Sequence, residues 1–213
     1  MTTPFHHGIS ARERNSGTIP IRTIATAVIG LIAYADDADP LAYPLNTPVL
    51  VTGISRALVG AGYHGTLRRS LEAIQPITNP TIVVIRIANP NNIEGGGLQQ
   101  SNIIGQNVDG QRTGLQCLLT AQTVVGVKPK ILIAPELETP DVVQAMIAVA
   151  KKLRAYFYAT PRDVNGAILP TKEAVAAYRA TLGDREVELV WPEFTSGNVL
   201  QAADPFPENA SDL

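Results

Sequence analysis

Gly60-Ala-Gly62-Tyr-His-Gly65 has the Gly-x-Gly-x-x-Gly spacing with which a strand-to-helix turn cradles a pyrophosphate, the most suggestive chemistry in this sequence. That chemistry needs a strand directly before the first glycine and a helix opening within the motif, so that free N–H groups face the phosphate. Here Ser55-Arg-Ala-Leu-Val59 precedes it, which reads as a short helix, so Gly60 and Gly62 are expected to be helix C-terminal glycines with left-handed dihedrals. An acidic residue should close the next strand to hold a ribose, but that strand ends in Arg86-Ile87-Ala88. The Gly95 to Gly97 run lacks the Gly-Lys-Ser/Thr of a phosphate loop and reads as linker.

Carboxylates, histidines and the cysteine fare similarly. Asp36, Asp37 and Asp39 crowd together without the turn glycine and terminal glutamate of a calcium loop, and read as a solvated turn. His6 and His7 are adjacent and His64 is far away, so none has the i, i+4 spacing of a helical zinc site. Cys117 sits among Leu115, Leu118 and Leu119, where a thiol is packing and not a nucleophile. Glu136, Glu138 and Asp141 fall between a strand end and a helix start, the usual place for an α/β active site. Capping and helix-dipole complementation is the simpler reading for them. No catalytic, cofactor-binding or metal-ligating residue is assigned on this basis.

The elements that would position such groups alternate. A β-branched run from Thr23 reads as a strand buried on both faces, followed by a short strand at Val49-Leu-Val-Thr52. Ser55 is expected to cap a brief helix through Val59, and Thr66 a second one over Leu67 to Ile74. Thr81 to Ile87 is the clearest strand, between Pro80 and Asn89-Pro90. Residues 89–111, with Asn-Pro-Asn-Asn, three glycines and Asp109-Gly110, read as a long surface loop. A helix at Thr113 to Val125, a strand at Lys130 to Ala134 and a helix at Pro140 to Arg154 follow, the last with Thr139 as N-cap. Then come a strand at Ala155 to Thr160, a helix at Lys172 to Leu182 capped by Thr171, and a strand at Glu186 to Trp191. The pattern predicts an α/β fold with a partly parallel or mixed sheet and flanking helices over residues 21–194. Residues 1–20 read as an extended N-terminal arm and 195–213 as an irregular C-terminal tail.

Composition narrows the function classes. With 213 residues and 45% hydrophobic content, the chain can bury a substantial core. Its 17 basic and 19 acidic residues leave a net charge of -2, which disfavours nucleic acid and anionic membrane surfaces as partners. One cysteine excludes an internal disulfide and suits a reducing compartment, and the N-terminus lacks signal-peptide order. The run from Ile24 to Ala35 is too short to span a bilayer.

Several strings occur in a telling order: His6-His7-Gly8, Ala27 to Ala33 with Asp36 to Asp39, Pro44 to Thr52, Gly65 to Leu71, Gly114-Leu115 with Leu118 to Ala121, Val127 to Lys130, Leu153 to Ala155, and Val190-Trp-Pro-Glu-Phe194. As a set they resemble the N-terminal half of the contractile tail sheath proteins of P2-like myophages and prophages. The resemblance implies a non-enzymatic structural subunit that polymerises helically around a tail tube and shortens when a baseplate triggers it. It implies as partners other copies of itself, the tube protein and the baseplate, with assembly in the host cytoplasm and residence in the virion tail. It also implies no cofactor. Terminal arms knit such subunits together, which makes Phe5, His6, His7, Ile9 and Ile19 the expected intersubunit contacts. Family members continue past the Trp-Pro-Glu-Phe strand, so a truncated prophage remnant is one expected form. Two other readings stay open: a small α/β nucleotide-binding protein or enzyme, and an adaptor that binds a full-length sheath.

Overall fold

A computed structural model describes residues 27–91 and 98–192, with the strand segments 195–196 and 200–201. The arm residues Phe5, His6, His7, Ile9 and Ile19 lie outside the described residues, as does most of the tail. Six strands form one sheet: β1 (Val28–Tyr34), β2 (Pro48–Val51), β3 (Thr81–Ile87), β6 (Ile131–Ile133), β7 (Tyr156–Ala159) and β8 (Val187–Leu189), in the order β2-β3-β1-β6-β7-β8. All neighbours are parallel except β2, which runs antiparallel to β3 at one edge. β1 and β3 are the β-branched runs, and they sit in the middle because apolar side chains on both faces need cover on both faces.

The cover comes from α1 (Ile54–Ala57) and α2 (Thr66–Ile74) on one face, and from α3 (Gln100–Ile104), α4 (Ala121–Val125), α5 (Pro140–Leu153) and α6 (Lys172–Thr181) on the other. Right-handed crossovers account for this division. The passage from β1 to β3 travels one way along the sheet, and every later passage travels the other way, so their helices fall on opposite faces. Leu31, Ala33, Ile82, Val84, Leu67 and Leu71 form the smaller core. The larger core joins Ile32, Val83, Ile85, Leu132 and Phe157 to α5, whose Val142, Val143, Met146, Ile147, Val149, Ala150 and Leu153 are buried. Gly30 admits this packing, since a Cβ there would stand 2.9 Å from Leu132 and 3.0 Å from both Leu118 and Pro129.

Several local expectations are corrected. Residues 89–111 are more ordered than their composition predicts: buried Ile103 anchors α3, and β4 (Asn107–Val108) pairs with β5 (Gln111–Arg112). Asp109 and Gly110 both have positive φ, as a two-residue hairpin turn requires. The helix expected over Thr113 to Val125 is a 3-10 segment, Gly114–Thr120, that runs into α4. Its buried Leu115, Leu118 and Ala121 recur every third residue, the period of a 3-10 helix. The expected caps also move. Ser55 Oγ accepts from Gln75, while the N–H of Ile54 is satisfied by Asn79 Oδ1 at 3.2 Å. Thr66 opens α2 behind Gly65 and its Oγ1 accepts from the N–H of Tyr34 at 3.3 Å. Thr139 has N-cap dihedrals, yet its hydroxyl is buried and makes no cap bond. Thr171 caps α6 as expected, accepting from the N–H of Ala174.

Candidate functional site

In an open α/β sheet, ligands bind outside the carboxyl ends of the strands where successive connections diverge, here between β1 and β6. The topology brings several of the residues singled out above to this rim. Asp37 accepts from the N–H of Tyr63 at 2.8 Å and of His64 at 2.9 Å, and Asp36 accepts from Asn89 Nδ2 at 2.6 Å. Asn91 donates to the Tyr34 hydroxyl at 2.9 Å. Burial, and then the Glu136 charge, push the Tyr34 phenol above its ordinary range. Arg69 donates to Glu136 Oε2 at 3.0 Å, tying α2 to the loop after β6.

The crevice itself is closed by backbone. Ala35 bridges to Gly65, and a Cβ on Gly65 would stand 2.3 Å from the carbonyl oxygen of Tyr34. The glycine motif therefore serves packing: Gly62 and Gly65 have φ of +72° and +118° and let the loop press on β1. Gly60 differs from expectation, because it lies inside the 3-10 turn Leu58–Gly60 without a left-handed dihedral. Gly95 to Gly97 lie outside the described residues.

The acidic cluster after β6 separates into distinct roles. Asp141 occupies the first turn of α5, where its charge complements the helix dipole as expected. Glu136 and Glu138 do not cap; each reaches an arginine from another element. Arg162 Nε lies 3.3 Å from Glu138 Oε2, with both side chains under a tenth exposed, and Arg162 Nη1 donates to the carbonyl of Gly166 at 2.8 Å. Burial pushes the Glu138 carboxyl up to about 7 against the opposing pull of Arg162. A carboxyl poised there could move a proton. The cavity beside it, lined by Ile133, Pro135, Tyr158, Thr160 and Val190, holds about 160 Å³, well below the roughly 300 Å³ at which ligand pockets begin. The pair acts as a strut between β6 and the loop after β7. Sequence reading missed it because the partners are 24 residues apart with no shared motif.

Cys117 is buried, with Sγ 3.0 Å from the carbonyl of Arg112 and 3.1 Å from that of Asn46, and burial pushes its thiol up to about 11. It is a packed, protonated group at neutral pH. Among the described residues no cluster of His, Cys, Asp and Glu could hold a metal ion, and no helix is long and apolar enough to cross a membrane.

What this molecule presents to the outside is edge and face. The outer edge of β2 opens onto a groove of about 360 Å³ bordered by Tyr43, Leu50, Arg56 and Ala57. The outer edge of β8 opens onto another of about 390 Å³ against α6. Unpaired strand edges are surfaces for main-chain pairing with another polypeptide. On β7 the alternation is open: Phe157 and Ala159 are buried, whereas Tyr156 and Tyr158 are 54% and 43% exposed.

Comparison with known proteins agrees with a molecule built of such surfaces. Residues 26–87 match the family model described as the tail sheath protein Gp18 domain III N-terminal region. The chain is 41% identical over 194 residues to the tail sheath protein of Escherichia phage P2, covering 89% of this chain and 48% of that protein. It is 37% identical over 199 residues to the major tail sheath protein of Serratia phage KSP20, covering 93% of this chain and 49% of that one. A putative prophage major tail sheath protein of Pseudomonas aeruginosa is 31% identical over 191 residues, covering 88% and 47%. The chain thus spans about half the length of the curated relatives it matches. By sequence and by this α/β domain it belongs with the tail sheath proteins of phages and prophages.

Proposed function

We propose that this chain is a structural subunit of a contractile tail sheath that associates with copies of itself helically around a tail tube and takes part in contraction. The observation that carries the reading is the 41% identity, sustained over 194 residues, to a phage tail sheath protein. The site chemistry supports it. At the rim where an α/β enzyme would bind substrate, Asp36, Asp37, Glu136 and Glu138 are engaged with Asn89, the 63–64 backbone, Arg69 and Arg162. Such groups stiffen a subunit that must carry load.

Open strand edges supply contacts between copies, and a head-to-tail contact of that kind generates a helix instead of a closed ring. In this reading Phe5, His6, His7, Ile9 and Ile19 lie on an arm that engages a neighbour, the tube protein and baseplate are the further partners, and the protein resides in the virion tail after assembly in the host cytoplasm. Because the chain spans about half of its relatives, a second reading is an adaptor that joins a full-length sheath. Light scattering over a concentration series, with negative-stain imaging of the same samples, tests the first reading. Rings or tubes that grow with concentration support it. A strict monomer at high concentration that nevertheless cosediments with sheathed tails transfers the case to the adaptor, and a monomer that does neither overturns both.

A further inference from the structure

We infer that the bare half of the sheet, the side of β6, β7 and β8 that carries Tyr156 and Tyr158, is the seat of a second polypeptide: the part of a tail sheath protein to which this chain does not correspond. The inference rests on the family reading above, and it begins from topology. α1 and α2 are the helices on their face of the sheet among the described residues, and both belong to the single excursion from β1 to β3. All crossovers toward β8 lay their helices on the opposite face. Cover on the α2 side therefore stops near β1.

Residues beyond that boundary are unlike an ordinary solvated sheet face. Tyr156 lies level with Ile131, and Tyr158 with Glu188. Ile131 and Ile133, which share this face with the two tyrosines, are half-buried, and exposed Glu188 lies at its outer side. Two large aromatic rings beside two isoleucines, with a charge at the rim, have the composition of an interface centre with a polar border. A strand that faced water for good would be expected to carry polar residues at 156 and 158.

The length of the relatives identifies the occupant. Three of them match this chain over 48%, 49% and 47% of their own length, so each contains about as much polypeptide again outside the match. The described chain reaches Pro192 immediately after β8, the outermost strand beside the bare face, so a continuation in a longer relative starts next to this surface.

The test is co-expression of the 213-residue chain with the portion of the Escherichia phage P2 tail sheath protein that lies outside the match, so that the added portion can fold on its partner. Recovery of a complex is expected, with about tenfold or greater loss for Tyr156→Glu and Tyr158→Glu and none for Val59→Glu, an exposed position on the other half of the molecule. Nitration by tetranitromethane, read by mass spectrometry, should modify Tyr156 and Tyr158 in the chain alone and spare them in the complex. Failure to recover a complex overturns the inference, as does a complex indifferent to both tyrosine substitutions. Self-association of the chain alone that those substitutions dissolve would assign the face to a second copy and overturn it too. A heterocomplex that forms through these tyrosines but never polymerises would sink the assembly reading and leave this one standing. Polymers that form without regard to the tyrosines would do the reverse.

Discussion

Arg86 and Ala35 are joined through the interior of the sheet: Nη1 of Arg86, a side chain 7% exposed on β3, donates at 3.0 Å to the carbonyl oxygen of Ala35 just beyond β1. The same nitrogen lies 3.4 Å from the carbonyl of Ala38. A cation inside an otherwise apolar strand thus holds the Asp36–Asp39 turn in place. Arg86→Met keeps the apolar stem but removes the donor and strands those carbonyls. A loss of about 2–3 kcal/mol is expected, seen as a melting point lower by about 5–10 °C in calorimetry. An unchanged melting point would mean that the turn needs no such tie.

Glu138 gives the protein a pH dependence whose sign is fixed by burial. Its carboxyl is raised from an ordinary 4.5 to about 7 in the fold, so between these values the folded protein holds a proton that the unfolded chain has released. This contribution is fully present below pH 4.5, declines as pH rises, and is gone above about 7, amounting to about 3 kcal/mol in all. Urea unfolding between pH 5 and pH 8 should show the decline, and Glu138→Gln should flatten it, whereas Asp141→Asn should not.

Gly65 cannot take a side chain. Its φ is +118° and a Cβ would meet the carbonyl oxygen of Tyr34 at 2.3 Å. Gly65→Ala is expected to cost about 2 kcal/mol or more, because both the dihedral and the backbone contact must give. Gly53, beside which a Cβ meets nothing and whose φ is -149°, is the control, with Gly53→Ala expected within about 0.5 kcal/mol of the parent by the same denaturation assay.

Asn46 fastens the start of the 3-10 segment to the sheet. It has a φ of +52°, its N–H donates to the carbonyl of Arg86 at 2.8 Å, and its Oδ1 accepts from the N–H of Gly114 at 2.8 Å. Asn46→Ala loses the side-chain bond and a tolerated left-handed residue together, and about 1–2 kcal/mol of stability should go with them. Amide exchange at Gly114 and Leu115 should quicken more than at β3, which would separate a local loosening from a global one.

Deleting residues 1–20 should leave the melting transition of the domain in place and remove any self-association seen by light scattering. Loss of the fold instead would mean that these residues complete the domain and do not reach a neighbour.

The sequence by itself determined much of this molecule, because its determinants are local. Thr81 to Ile87 could only be a buried strand, Pro140 to Leu153 carries its own N-terminal proline and apolar face, Thr171 is three residues from the N–H it caps, and the ordered strings from Ala27 to Trp191 mark the family. Tertiary structure decided whatever depends on residues far apart. Thr66 was drawn from capping to Tyr34, Ser55 to Gln75, and Glu138 from a helix start to Arg162, because a buried polar group takes whichever partner the fold brings nearest. The 3-10 winding of Gly114–Thr120 likewise follows from what its leucines must reach across the sheet. The bare face of β7 was not legible for the same reason: alternation around Tyr156 and Tyr158 shows that one side is exposed, but which side the helices cover follows from the order in which the strands are laid down.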